Sequence, residues 1–185
     1  MNRLLVPLFF FLACSDSPPT TPETRPVENP NAGNTAIYDV DPDDPYEIGS
    51  GSFMDMRPGD TVDTHSDWLT PGTLVNGEGE FDVYYILGRR SDTLGYVYSA
   101  DERTIESIII ESTDAVTQDG IRVGNTFGEL TERLGVVDVI GSEIEARVYA
   151  TKAPFRYRLG MNSGPGPVDT SEIDPATPIL TIEID

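Results

Sequence analysis

The chain predicts an α+β domain, an antiparallel β-sheet carrying two short helices, with its halves read as a degenerate tandem repeat. Three observations lead there. Short runs rich in β-branched and aromatic residues recur from Phe81 to the end, with turn residues between them. One stretch, Thr126 to Gly135, has the start, the face and the stop of a helix. A second, Met56 to Leu69, aligns with that region without a gap.

The strand signals come first. "FDVYYIL", Phe81 to Leu87, alternates Phe81, Val83, Tyr85 and Leu87 with Asp82, Tyr84 and Ile86. That is the two-residue period of a strand. "LGYVYS", "IESIIIES", "ARVYAT", "FRYRL" and "ILTIEI" share its composition. Turn-rich segments separate them: "GRRSDTLG", "SADER" and "MNSGPGPVDTSEIDPATP".

The helix signals lie in "GIRVGNTFGELTERLG", Gly120 to Gly135. Thr126 and Glu129 are spaced as a capping box, each side chain able to serve the other's backbone N–H. Phe127, Leu130 and Leu134 fall on one helix face, Arg133 lies in the last turn and Gly135 supplies the stop. The expectation is a two-turn helix over 127–134. Gly128 costs it about 1 kcal/mol relative to alanine. Packing of the apolar face must therefore hold it.

"MRPGDTVDTHSDWL", Met56 to Leu69, aligns with "IRVGNTFGELTERL", Ile121 to Leu134. Gly59-Asp60-Thr61 falls on Gly124-Asn125-Thr126, and Leu69 on Leu134. This places the other helix after Asp60 and Thr61. Downstream, "GEFDVYYILGRR" faces "SEIEARVYATKA" and "IESIIIE" faces "PILTIEI". The repeats would cover 46–112 and 113–185.

The amino terminus reads differently. "MNRLLVPLFFFLAC" places Arg3 before an apolar run too short to cross a bilayer, which takes roughly 20 helical residues. Phe11-Leu12-Ala13-Cys14 resembles a bacterial lipobox, with phenylalanine where that pattern usually has leucine. The resemblance implies a signal peptide over 1–13, cleavage before Cys14, and lipidation of that residue (a palmitate-type anchor). An ordinary secretory signal containing a cysteine is the alternative. Cys14 is the sole cysteine, so no disulfide forms within the domain. Residues 14–45 are rich in Pro, Thr, Ser and Asn and turn acidic, the composition of a disordered tether. One domain, 46–185, remains. Ser15 after the cysteine resembles the enterobacterial pattern for outer-membrane delivery.

Charge excludes one partner class. There are 32 acidic and 12 basic residues, a formal net charge of −20. Nucleic acid is not expected, because binding it rests on Lys and Arg neutralising phosphates. Surface adaptation to high salt and plain acidity remain equal readings. Against this background Arg147, Lys152, Arg156 and Arg158 cluster within twelve positions. Arg156 and Arg158 flank Tyr157 and would share a strand face. With Arg89 and Arg90 on the equivalent hairpin they form a candidate patch for an anionic ligand or an envelope protein. Pairing with the protein's own acids is the alternative.

Other chemistry finds little support. A phosphate loop needs Lys and Ser or Thr after its second glycine, but Glu129 follows Gly128. Asp39, Asp41 and Asp43 open like a calcium loop, yet Asp44 and Ser50 stand where glycine and glutamate belong. The sole histidine, His65, lies among Asp60, Asp63 and Asp67 without a second histidine to complete a metal site. No catalytic residues, metal or cofactor are expected. The rival is an envelope hydrolase using paired carboxylates.

The stretch from Ile105 to Gly135, "IESIIIES" through "GIRVGNTFGELTERLG", resembles the YfeY-type domain of small bacterial envelope lipoproteins. More faintly it is similar to small-protein-A-type repeats and the β-lactamase-inhibitor fold. That resemblance implies a lipid-anchored envelope protein with a non-enzymatic role, and it carries over no catalytic residue.

Overall fold

The computed structural model describes residues 46–143 and 146–185. Cys14, the expected signal peptide, the expected tether and the Asp39–Asp43 carboxylates lie outside the described residues. The strands, in order, are β1 (Tyr46–Gly49), β2 (Ser52–Phe53), β3 (Leu69–Asn76), β4 (Gly79–Leu87), β5 (Thr93–Tyr98), β6 (Ser107–Ile110), β7 (Ala115–Thr117), β8 (Asp138–Gly141), β9 (Arg147–Lys152), β10 (Phe155–Asn162), β11 (Gly166–Pro167) and β12 (Ile179–Ile184). One α-helix, α1 (Phe127–Leu134), and two 3-10 turns, Val62–His65 and Thr170–Glu172, complete the described elements.

The domain is therefore mostly β, which corrects the expected α+β class with two helices. A nine-stranded antiparallel sheet runs β11-β8-β9-β10-β12-β6-β5-β4-β3, and a small sheet runs β2-β1-β7. The large sheet reads as a palindrome about its β12–β6 centre, with β8-β9-β10-β12 on one side answering β3-β4-β5-β6 on the other. The segments that align in sequence hold equivalent places in it: β4 against β9, and β6 against β12.

The Gly-x-Thr turns match bond for bond. Gly59 donates to Ile105 O at 2.8 Å and Gly124 to Ile179 O at 2.9 Å. Ile105 donates back to Asp60 O at 2.9 Å, and Ile179 to Asn125 O at 2.7 Å. Val62 donates to Arg103 O and Phe127 to Thr177 O, both at 2.8 Å. Gly59 and Gly124 sit at φ 93° and 91°, where a side chain would be strained.

Beyond the matched turn the two segments part. After Thr126 the capping box forms: Glu129 Oε2 accepts from Thr126 N–H at 2.7 Å, and Thr126 Oγ1 accepts from Glu129 N–H at 3.3 Å. After Thr61 there is no side-chain cap, because Thr61 Oγ1 bonds Thr64 Oγ1 at 2.6 Å. Thr64 holds the position that glutamate holds in α1. The run Val62-Asp63-Thr64-His65-Ser66-Asp67 is poor in helix formers and rich in side chains that compete with helical hydrogen bonds. β3 then starts at Leu69, leaving no room for a second turn. Leu69 and Leu134, matched in sequence, thus end in a strand and a helix. We expect Thr126→Ala to cost about 1 kcal/mol in urea denaturation and Thr61→Ala less than about 0.5 kcal/mol. Equal losses would mean that the capping box does not hold the helix.

The core is a single cluster between one face of the large sheet and a layer made by α1 and the small sheet. Leu94, Val97, Ile108, Ile110, Ile182 and Ile184 enter it from the sheet, and Phe127, Leu130, Ile48 and Phe53 from the other layer. Burying each such side chain contributes about 1.5–3 kcal/mol. The sheet's two edges are blunted. Edge strand β3 carries Pro71, which has no N–H, and the Tyr85 hydroxyl donates to the Thr73 carbonyl at 2.9 Å. The other edge, β11, is two residues long and includes Pro167.

Candidate functional site

Strand alternation sends one set of side chains to the core and leaves the other on the open face of the large sheet. Cross-strand register then builds a row over that face. Arg156 stands opposite Glu183, Glu183 opposite Ile109, Ile109 opposite Tyr96, and Tyr96 opposite Tyr85.

This face is concave. A groove of about 350 Å³ is lined by side chains from β3, β4, β5, β6, β12, β10 and β9, seven neighbouring strands. Laid flat, seven strands would span roughly 30 Å at about 4.8 Å per step. One small groove can touch all of them only if the sheet curls around it. Interruptions of register supply the bend. Leu94 is an extra residue in β5 opposite Ile86/Leu87, and Leu180 is one in β12 opposite Arg158/Leu159. Register also slips between Leu159 and Asn162.

The groove is aromatic and charged. Val83 and Ile109 form an apolar floor, and Phe81, Tyr96, Tyr98 and Tyr149 contribute rings. Glu183 is 7% exposed. Its Oε2 accepts from Arg156 Nη2 at 2.9 Å, and its Oε1 accepts from the Thr181 hydroxyl at 3.1 Å. Arg156 Nη1 also pairs with Asp185 at 2.7 Å, and its guanidinium carbon lies 4.4 Å from the Tyr149 ring centroid. Burial pushes the Glu183 carboxyl up from its ordinary range, against the pull of Arg156. Burial does the same to Glu111, opposed by Arg158. Burial, then Glu111 and Glu183, push the Tyr96 hydroxyl up to about 12.

The expected arginine patch divides. Arg147 and Arg156 line the groove, and Arg158 shares their face by alternation. Arg89 and Arg90 do not line it. They sit on the β4–β5 turn, where Arg89 N–H donates to the Tyr46 hydroxyl at 2.8 Å and Arg90 N–H to Asp92 at 3.3 Å. His65 Nε2 lies 3.2 Å from Asp60 Oδ2 on the first 3-10 turn. Among the described residues no group of three or more His, Cys, Asp or Glu is placed to hold a metal ion.

Sequence reading missed Glu183, Tyr96, Tyr149 and Ile109. Glu183 had a signal: it is a lone charge between Ile182 and Ile184, on the side that alternation turns away from the core. The others had none, since which face of a strand stays uncovered depends on what packs against the sheet.

The arrangement defines a class: a small, mostly-β domain with one face of a long antiparallel sheet packed and the other curved, open and lined by rings and ion pairs. Among solved structures it is similar to the crystal structure of the uncharacterized protein YfeY from Escherichia coli, with a TM-score of 0.52 at 13% identity over 75% of this chain and 98% of that one. The likeness shows the fold, and the YfeY-type fold expected from residues 105–135 agrees with it. No protein-family model matches the chain, and no curated protein sequence matches it.

Proposed function

We propose that this protein is a lipid-anchored bacterial envelope protein, held at the outer membrane through Cys14, and that its domain is a non-enzymatic binding module. The concave face of the nine-stranded sheet is its contact surface. The observation that carries this reading is the groove, where seven strands converge on an apolar, ring-lined floor. Such concave, partly apolar surfaces with a few placed polar groups are what binding sites are made of. The carboxylates support binding over hydrolysis. Glu183 is buried and held by Arg156 and the Thr181 hydroxyl, one hydrogen bond on each carboxyl oxygen, the setting of a fixed ion pair in the floor of a binding surface. The matched Gly-x-Thr turns and the palindromic sheet support descent of the two arms from a duplicated unit. The anchor rests on the lipobox-like end, where each buried acyl CH₂ contributes about 0.8 kcal/mol of membrane affinity.

The test uses the full chain in envelope membranes with a photo-crosslinking residue at Tyr98, in the groove, or at Glu132, on α1. A partner trapped from Tyr98 and not from Glu132 is expected. Equal trapping at both positions overturns the concave face as the contact surface. Cys14→Ser, run alongside, is expected to move the protein from the membrane to the soluble fraction; retention on the membrane overturns the anchor.

A further inference from the structure

We infer that the concave groove takes a cationic occupant: an exposed loop of a basic partner protein that presents Arg or Lys to the tyrosine-lined floor. This rests on the reading of the concave face as the contact surface, and it decides the sign of what binds there.

The groove already shows the chemistry it recognises, because it holds a guanidinium of its own. Arg156 lies over the Tyr149 ring at 4.4 Å and is held by Glu183 at 2.9 Å and Asp185 at 2.7 Å. An aromatic face together with carboxylates is a cation site. The remaining rings, Phe81, Tyr96 and Tyr98, line the same groove and carry the same negative faces. Glu78 stands at the opposite wall, at the tip of the β3–β4 hairpin. An anion entering here would have to draw Arg156 away from two carboxylates, one of them on a desolvated floor. A cation adds to Glu78, Asp185 and the rings without breaking that arrangement. The other two arginines of this face stand against acids of their own: Arg147, which also lines the groove, acts on Glu183, and Arg158 acts on Glu111.

The field of the whole molecule points the same way. A net charge of −20 repels anionic partners and draws cationic ones. The hairpin wall fits a loop as occupant. β4 pairs with β5 only from Val83 onward, whereas β3 and β4 pair on to Asn76 and Gly79. The end of this hairpin projects beyond β5 as a two-stranded arm, with Leu74 and Phe81 turned to the groove. A loop seated between arm and floor is enclosed on two sides, with its cationic tip on the rings and its flanks on Leu74 and Val83.

The experiment presents the detergent-solubilised full chain to a phage-displayed library of random disulfide-closed peptides. Enriched peptides are expected to carry more Arg and Lys than Asp and Glu. Their association rate should fall about tenfold or more between low and high salt, as steering by opposite charge requires. Binding should be lost on Tyr149→Ala and also on Glu78→Lys, an exposed hairpin substitution that leaves the core untouched. Enrichment of acidic peptides that still depends on the groove overturns the cationic occupant and leaves the concave face standing. Enrichment indifferent to both variants, or no enrichment, overturns the cationic occupant and the concave face together.

Discussion

Gly95→Ala is expected to cost the domain about 3 kcal/mol or more, enough to bring a marginal fold close to unfolding at room temperature. Gly95 lies in the β5 bulge, where β5 and β6 approach with no side chain between them. A methyl group built there would sit 2.0 Å from the Ile109 carbonyl oxygen and 3.0 Å from its carbon. Backbone cannot step aside as the end of a side chain can. β6 would have to move, and with it the β12–β6 pairing at the centre of the large sheet. Urea denaturation against Gly164→Ala makes the comparison, since nothing lies within 4 Å of a methyl group at Gly164. A Gly95→Ala midpoint equal to that of the control would show that β5 and β6 have room the structure does not give them.

Arg156→Gln is expected to destabilise the domain by about 2 kcal/mol at pH 7 and by much less near pH 4. Breaking a buried ion pair by removing one partner costs about 3–5 kcal/mol. The Arg156 side chain is 41% exposed, so solvent screening lowers the expected loss. The pH dependence follows from Glu183, whose folded pKa is raised. A raised carboxyl contributes stability that is fully present below its unfolded pKa and is lost as pH rises through the folded one. Removing Arg156 takes away the main influence holding that pKa down, so the variant's stability falls further as pH climbs from about 4.5 toward 7. At pH 4 Glu183 is protonated in both proteins, and the difference shrinks. Denaturation of both at pH 4 and pH 7 reads this directly, and Arg156→Gln/Glu183→Gln should recover most of the loss at pH 7. A loss equal at both pH values would mean that Arg156 acts by packing on Tyr149 rather than by answering Glu183.

Other carboxyls oppose this trend at lower pH. Hydrogen bonds from Thr104 and Arg103 backbone hold Asp101 down at about 2, and Thr126 backbone holds Glu129 down. Their contribution is present above the unfolded range and disappears as pH falls through the lowered values.

Much of the sheet was legible because six of its strands are dense in β-branched and aromatic residues, from "FDVYYIL" to "ILTIEI". α1 was legible to the residue, since caps and faces are local chemistry. β3 was not, because Pro71 and Gly72 read as a turn and are tolerated only at an edge. β1, β2, β7, β8 and β11 are two to four residues long, too short for a period to show. The second helix failed for a different reason: a real equivalence at Gly59-Asp60-Thr61 was carried into residues whose own propensities are against helix. As for the site, alternation put Arg156 and Arg158 on one face, whereas Arg89 and Arg90, grouped with them from the matched hairpins, lie on the β4–β5 turn outside the groove, because which side chains meet over the open face depends on the curvature of the sheet.

The blunted edges bear on life in company. Copies held on one surface, as the proposed anchor would hold them, would meet at high effective concentration, and a sheet with an open margin would recruit its neighbour strand by strand. Pro71 has no hydrogen to offer, and the Thr73 carbonyl is already taken by a tyrosine of the same chain. Dense neighbours could therefore jostle edge to edge without fusing into a ribbon.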